Sequence, residues 1–227
     1  MAESDLQEGE LENEGGTFRS SLRKGVEGSV GEGLIGVGVI TLCIIGLANV
    51  IPDILVSVAT IAAGIAMAFE GGTLAARYAA VLEHAGTPQA KMFRWGGVTA
   101  EFLAGAGGIA LGILALLGVA PMVLVPISAL IFGGALIIDS GLNAKISALE
   151  YKKAEETGAN PKVVKETAEA SASIQVLVGL GVVTLGILSL IGIDAVTLSL
   201  VSILSVGGVV LLTGAMIGGR MAKAIHH

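Results

Sequence analysis

Charge is scarce in this sequence. Only 14% of its 227 residues are Asp, Glu, Lys or Arg, against about one quarter in soluble domains. That leaves too little polar side-chain surface to cover a water-soluble core. Cysteine is nearly absent: Cys43 alone can build neither a disulfide framework nor a cysteine-based zinc site. The histidines are His84 and the terminal pair His226 and His227. No serine has a plausible base near it in the sequence, and there is no Walker-type loop. An enzyme is not expected, and neither catalytic residues, a metal nor a cofactor can be assigned. A chain of net charge -6 carries no basic footprint for nucleic acid.

What the chain has is apolar length. Mean hydropathy is +0.85. Charge-free runs cover 33–52, 54–69, 102–138, 170–193 and 195–219. A helix crosses a hydrocarbon core of about 30 Å with roughly 17 to 25 residues. The run 102–138 is too long for one crossing and carries Gly118, Pro121 and Pro126 near its middle, so it reads as two spans with a tight turn. Similar turns lie at Leu47 to Asp53 and Ile191 to Asp194. The expectation is an all-α integral membrane protein with six transmembrane helices, arranged as three repeated glycine-rich hairpins.

The repeat is explicit. Gly36 to Gly64, Gly105 to Gly133 and Gly179 to Gly207 align over 29 residues without a gap. Seven positions are identical in all three copies: Gly36/Gly105/Gly179, Gly38/Gly107/Gly181, Leu42/Leu111/Leu185, Ile44/Ile113/Ile187, Leu47/Leu116/Leu190, Leu55/Leu124/Leu198 and Gly64/Gly133/Gly207. Gly31-Glu32-Gly33-Leu34-Ile35-Gly36 formally matches a dinucleotide-binding fingerprint, but no βαβ context surrounds it. The glycines instead read as packing residues. Gly105 and Gly112, Gly179 and Gly186, Gly64 and Gly71, and Gly207 and Gly214 are each seven apart, about two helical turns. Such smooth stripes let helices approach closely in lipid, which nominates Gly36, Gly64, Gly105, Gly112, Gly133, Gly179, Gly186 and Gly207 for helix packing. Cys43 occupies the position of Gly112 and Gly186 and reads as a small packing residue.

The expected organisation is an acidic, disordered cytoplasmic tail over 1–28, hairpins over 29–78, 98–147 and 172–223, connections over 79–97 and 148–171, the second partly helical, and a tail over 224–227. All 13 Lys and Arg residues fall in the N-terminal segment, the two connections or the C-terminus, and none in the tight turns, which hold only Asp53 and Asp194. The positive-inside rule then places both termini in the cytoplasm and the chain in the cytoplasmic membrane. Tyr78, Trp95 and Tyr151 lie towards the same face. The acidic start and long first apolar run predict an uncleaved insertion signal rather than a signal peptide.

One patterned set of ionisable groups accompanies the repeat. Glu32 and Glu70, Glu101 and Asp139, and Gln175 and Thr213 occupy equivalent positions, each pair 38 residues apart. Both members of a pair lie 19 residues from the turn centre, roughly 28 Å at 1.5 Å per residue, at the cytoplasmic margin of the hydrocarbon. The acids either mark hydrated helix ends beside snorkelling Arg77, Arg94 and Lys145, or face inward, where two close carboxylates cannot both ionise easily. The second reading makes Glu32, Glu70, Glu101 and Asp139 proton-sensing candidates.

Gly105, Gly112, Leu116, Pro121 and Gly133, echoed as Gly36, Leu47, Pro52 and Gly64, make the hairpins resemble the HdeD-type acid-resistance membrane proteins, six-span proteins of a short repeat. The third copy departs, with Ala195 at the proline position. The resemblance covers about Gly31 to Ala222 and implies a non-enzymatic protein of acid or envelope stress in the cytoplasmic membrane, with no catalytic residues to carry over. Its expected partner is membrane lipid; a homo-oligomer or a soluble partner on the cytoplasmic face suits an alternative role as a scaffold or docking subunit. A small transporter or channel is a further alternative, which the scattered Thr41, Thr60, Ser128, Thr184 and Ser205 of the span centres do little to support.

Overall fold

The computed structural model describes residues 33–84, 99–157 and 161–225, with side chains over 33–73, 75, 99–141 and 172–215. Every regular element in them is a helix. In chain order these are α1 (Gly33–Leu47), α2 (Pro52–His84), α3 (Ala100–Leu116), α4 (Pro121–Thr157), α5 (Pro161–Leu190) and α6 (Ala195–Ile225). Four are long and apolar enough to cross a membrane, over Pro52–Thr73, Pro121–Gly141, Ala172–Leu190 and Ala195–Ala215; Gly33–Leu47 and Ala100–Leu116 are shorter apolar helices. Four helices run on beyond the expected hairpin ends, α6 by two residues to Ile225. α2 continues to His84 and α4 to Thr157, while α5 already begins at Pro161. Of the connection expected over 148–171, residues 148–157 belong to the end of α4 and 161–171 to the start of α5, because Ala, Glu and Lys there favour helix once outside the apolar layer.

Glycine, proline and hydrogen bonding explain the three turns. After α3, the Gly118 N–H donates to Ala115 O and the Val119 N–H to Leu114 O, both at 3.0 Å. This is a Schellman ending, which needs a left-handed residue. Gly118 supplies it at φ 85, as Gly192 does at 88 and Asn49 at 65. Asn49 and Val50, and Gly192 and Ile193, make the corresponding bonds. Two residues further on, Ile51, Ala120 and Asp194 also have positive φ, and Pro52 and Pro121 then open α2 and α4 where no helical N–H is required. Gly118→Ala is expected to lower stability by about 1 kcal/mol, since only its left-handed backbone is penalised, and Gly118→Asn by less; thermal melts of the two variants in detergent test this ordering.

Helix pairing is set by close glycine approach. A Cβ added at Gly64 would lie 2.8 Å from Gly105 O, and one at Gly105 would lie 2.5 Å from Gly64 O, so α2 and α3 meet backbone to backbone. Gly133 and Gly179 do the same for α4 and α5, each 2.8 Å from the other's carbonyl oxygen. Between α6 and α1, a Cβ at Gly36 would lie 3.1 Å from Gly207 O, and one at Gly207 2.8 Å from a Val39 methyl carbon. Each contact joins the second helix of one hairpin to the first helix of another, and the last contact closes the circuit from α6 back to α1. α2, α4 and α6 also touch one another and form the inner layer. They contribute most of the bulky core: Met67, Val125, Phe132, Leu136, Leu200, Ile203, Val206 and Val210.

The same contacts fix the direction of packing. Gly112 lies against Ile61 and Ser57, and Gly105 against Ala68, so α2 and α3 are antiparallel. Gly186 lies against Leu130 and Pro126, and Gly46 against Leu200, which makes the other two pairs antiparallel too. All three tight turns therefore stand at one end of the bundle, and the acidic positions gather towards the other.

Candidate functional site at the start of helix α3

Helix α3 begins at the level of the acids. Its N-cap is Thr99, whose side-chain oxygen accepts from the Phe102 N–H at 3.2 Å, relieving one of the amide donors that a first turn leaves without an intrahelical acceptor. A second is met from another helix: the Glu101 N–H donates to Asp139 Oδ2 of α4 at 2.6 Å. The carboxylate also sits where the partial positive charge of the helix start favours an anion. Thr99→Ala should cost about 1 kcal/mol, read as an earlier unfolding midpoint.

Burial is nearly complete. Glu101 is 0%, Asp139 2% and Glu70 5% exposed. Glu70 reaches the same place through its neighbour: Gly71 packs directly on Phe102 N and Thr99 Oγ1, with no room for a side chain. Helices α2, α3 and α4 thus each bring one acidic residue to the first turn of α3. The acidic pair at equal depth, Glu101 and Asp139, is joined by carboxylate to backbone amide. Glu32 lies outside the described residues, as do the acidic segment 1–28 and the side chains of all 13 Lys and Arg residues.

The third copy follows from helix geometry. Gln175 is buried, and Thr213 donates its hydroxyl to Val209 O at 3.0 Å within its own helix. Gln175 lies in mid-helix because α5 starts at Pro161. No first turn opens there, so a carboxylate at position 213 would have no helix start to accept from.

Of the nominated packing glycines, Gly36, Gly64, Gly105, Gly112, Gly133, Gly179, Gly186 and Gly207 all lie where an added Cβ would come within 3.0 Å of a neighbouring helix. Gly38, Gly107 and Gly181, equally invariant among the copies, have nothing within 4 Å of an added Cβ. Two close approaches escaped the sequence reading: the Leu200 side chain of α6 lies against Gly46 of α1, and the Phe132 ring of α4 covers Gly108 of α3. Gly108 is Val39 and Val182 in the other copies, so a search for repeated glycines passes over it; its signal is the single Phe that falls opposite it in the same hairpin.

Hydroxyls inside the bundle are internally bonded. Ser57, Thr60, Ser128 and Ser202 donate to the carbonyl four residues earlier, and the Ser189 and Ser199 hydroxyls lie 3.0 Å apart. A groove of about 510 Å³ lies between α4 and α5, edged by Ser140, Ser173 and Leu177. Among the described residues, no group of three or more His, Cys, Asp or Glu could hold a metal ion. Cys43 is fully buried.

Relatives would show whether this acidic layer is shared. No family model, curated protein or solved structure matches the chain.

Proposed function

We propose that this chain is a non-enzymatic protein of the cytoplasmic membrane that senses or passes protons at the carboxylates around the start of α3. It crosses the bilayer six times as three copies of one hairpin, with both termini cytoplasmic, and serves acid or envelope stress as the HdeD-type resemblance implies. The observation that carries this reading is the near-complete burial of Glu70, Glu101 and Asp139 on three helices at one level. Ionisable groups are expensive inside a membrane and mark proton or ion pathways when they face a bundle interior. The level lies at the cytoplasmic margin, since the basic residues flank this end of the hairpins.

Proton flux into proteoliposomes after an external pH step tests the proposal, comparing the wild-type chain with Glu70→Gln/Glu101→Gln. Flux above that of empty liposomes, lost in the double variant, is the expected result. Equal leak in all three preparations would rule out proton passage, and an unchanged pH dependence of protease accessibility in the same variant would rule out sensing.

A second reading, an oligomeric scaffold or docking subunit, is favoured by the bond between Asp139 and the Glu101 N–H. That bond gives one of the acids a structural task that needs no proton transfer. Cross-linking in native membranes distinguishes the readings, because a scaffold yields a discrete oligomer or a stable soluble partner.

A further inference from the structure

The turn end of the bundle has an unusual surface. Loops that stand in water are normally rich in polar residues, yet these three are Ala48-Asn49-Val50-Ile51, Leu117-Gly118-Val119-Ala120 and Ile191-Gly192-Ile193-Asp194. Their large side chains point outward: Leu117 is 74%, Ile191 66% and Ile51 60% exposed, and Val50, Val119 and Ile193 are exposed as well. Ile51 is held at φ 38, a conformation that a β-branched residue rarely adopts. The exposed apolar surface extends from the turns onto the helix flanks, through Ile54, Leu114, Met122 and Val123.

Length explains where that surface lies. α3 has 17 residues, about 26 Å at 1.5 Å per residue. The hydrocarbon core is about 30 Å thick. With the α3 start at one margin of the hydrocarbon, its turn has only enough chain to reach the other margin. α3 cannot lift its apolar turn clear into water, and the other two turns stand at the same end of the bundle.

We infer that the turn end is a lipid-contacting surface: the tips of all three hairpins rest in the boundary between acyl chains and headgroups of the distal leaflet. The inference rests on the membrane reading but not on proton handling. Asn49, Asp53 and Asp194 are exposed polar residues of the turns, and they mark the water side of the boundary. Leu117, Val119, Ile51, Val50, Ile191 and Ile193 occupy its apolar side. The occupant is lipid because this surface is continuous with the flanks that already face acyl chains, and because apolar side chains enter that boundary favourably. Bilayers whose hydrocarbon is thicker than the hairpins must thin around them or the hairpins must sink.

The test uses the full chain carrying Cys43→Ala with Val119→Cys, or separately with Val50→Cys, each labelled with an environment-sensitive fluorophore and reconstituted in pure lipid. The expected result is quenching by lipids brominated near the headgroup, stronger than by lipids brominated at the chain ends, with iodide quenching several-fold weaker than for the free dye. Strong iodide quenching without bromolipid quenching would overturn the inference. Shielding that disappears when the protein is diluted in lipid would also overturn it, by assigning the surface to a second copy. Neither outcome touches proton flux. A far-ultraviolet spectrum equal to that of the wild-type chain confirms that each labelled variant is folded.

Discussion

Gly105→Ala should lower the stability of the bundle by about 2–3 kcal/mol, while Gly107→Ala, two residues further along the same helix, should leave it unchanged or slightly raised. The difference is one of surroundings, since both glycines are invariant among the three copies. A Cβ at Gly105 would lie 2.5 Å from Ala68 N and from Gly64 O. Both are backbone atoms, so no rotamer change can make room and α2 must move away from α3. Overpacking of this kind costs about 1–3 kcal/mol, and separation also forfeits the van der Waals contacts that hold membrane helices together. At Gly107 nothing lies within 4 Å of an added Cβ, and alanine is the better helix former by about 1 kcal/mol in water. Unfolding by graded addition of SDS to mixed micelles, followed by circular dichroism, gives both values. Equal loss at the two positions would mean that the outward face of α3 is also packed against something, and the α2–α3 contact would no longer explain the invariance of Gly105.

Asp139→Ala is the second large effect. It removes the carboxylate from the Glu101 N–H and leaves a buried donor at the start of α3 without that acceptor. Hydrogen bonds to charged groups contribute about 1.5–3 kcal/mol, and that range is the expected loss. Asp139→Asn keeps an oxygen acceptor in place and should lose less. Hydrogen exchange supplies the local readout: the Glu101 amide should lose protection in Asp139→Ala, while amides near the α5–α6 turn should not. Full protection of Glu101 in the alanine variant would show that its amide does not depend on α4. Since Asp139 shares its layer with Glu70 and Glu101, the same variants separate a capping role from proton handling. A variant that retains stability but loses proton flux, such as Glu101→Gln, would carry the functional reading by itself.

Much of the architecture was legible in glycine and proline. Gly118 and Gly192 followed by a helix start predict tight turns because few residues accept a left-handed backbone, and the 29-residue alignment finds the turns three times. Which hairpin faces which was not legible. Gly64 is as small as Gly133, and nothing in either residue says that its partner is Gly105 or Gly179; that choice depends on how the inner helices meet. The acidic layer was half legible. The separation of 38 residues places Glu101 and Asp139 at one depth, but their relation runs through an amide, and a backbone donor has no letter in a sequence. The signal that could have found it is Thr99 directly before Ala100-Glu101-Phe102, a helix-start pattern. The extension of α2 to His84 was missed because the expected hairpin ended where apolar residues ended, whereas those of α4 and α5 fall in the connection expected to be partly helical. Polar helix formers carry the helices further.

The contact between α6 and α1 also has a consequence in time. Of the six helices a ribosome delivers α1 first and α6 last, so Gly36 waits for its neighbour until α2 to α5 have been made. Every shorter nascent chain leaves the Gly36 face of α1 uncovered, and one that stops after α4 leaves Gly133 uncovered as well. The final hairpin covers both at once, through Gly179 on one side and Gly207 on the other. Packing of the bundle is therefore complete only once the α5–α6 hairpin has been made, and a chain that stops before it displays two sticky backbone surfaces by which quality-control proteases could tell it from one that holds all six helices.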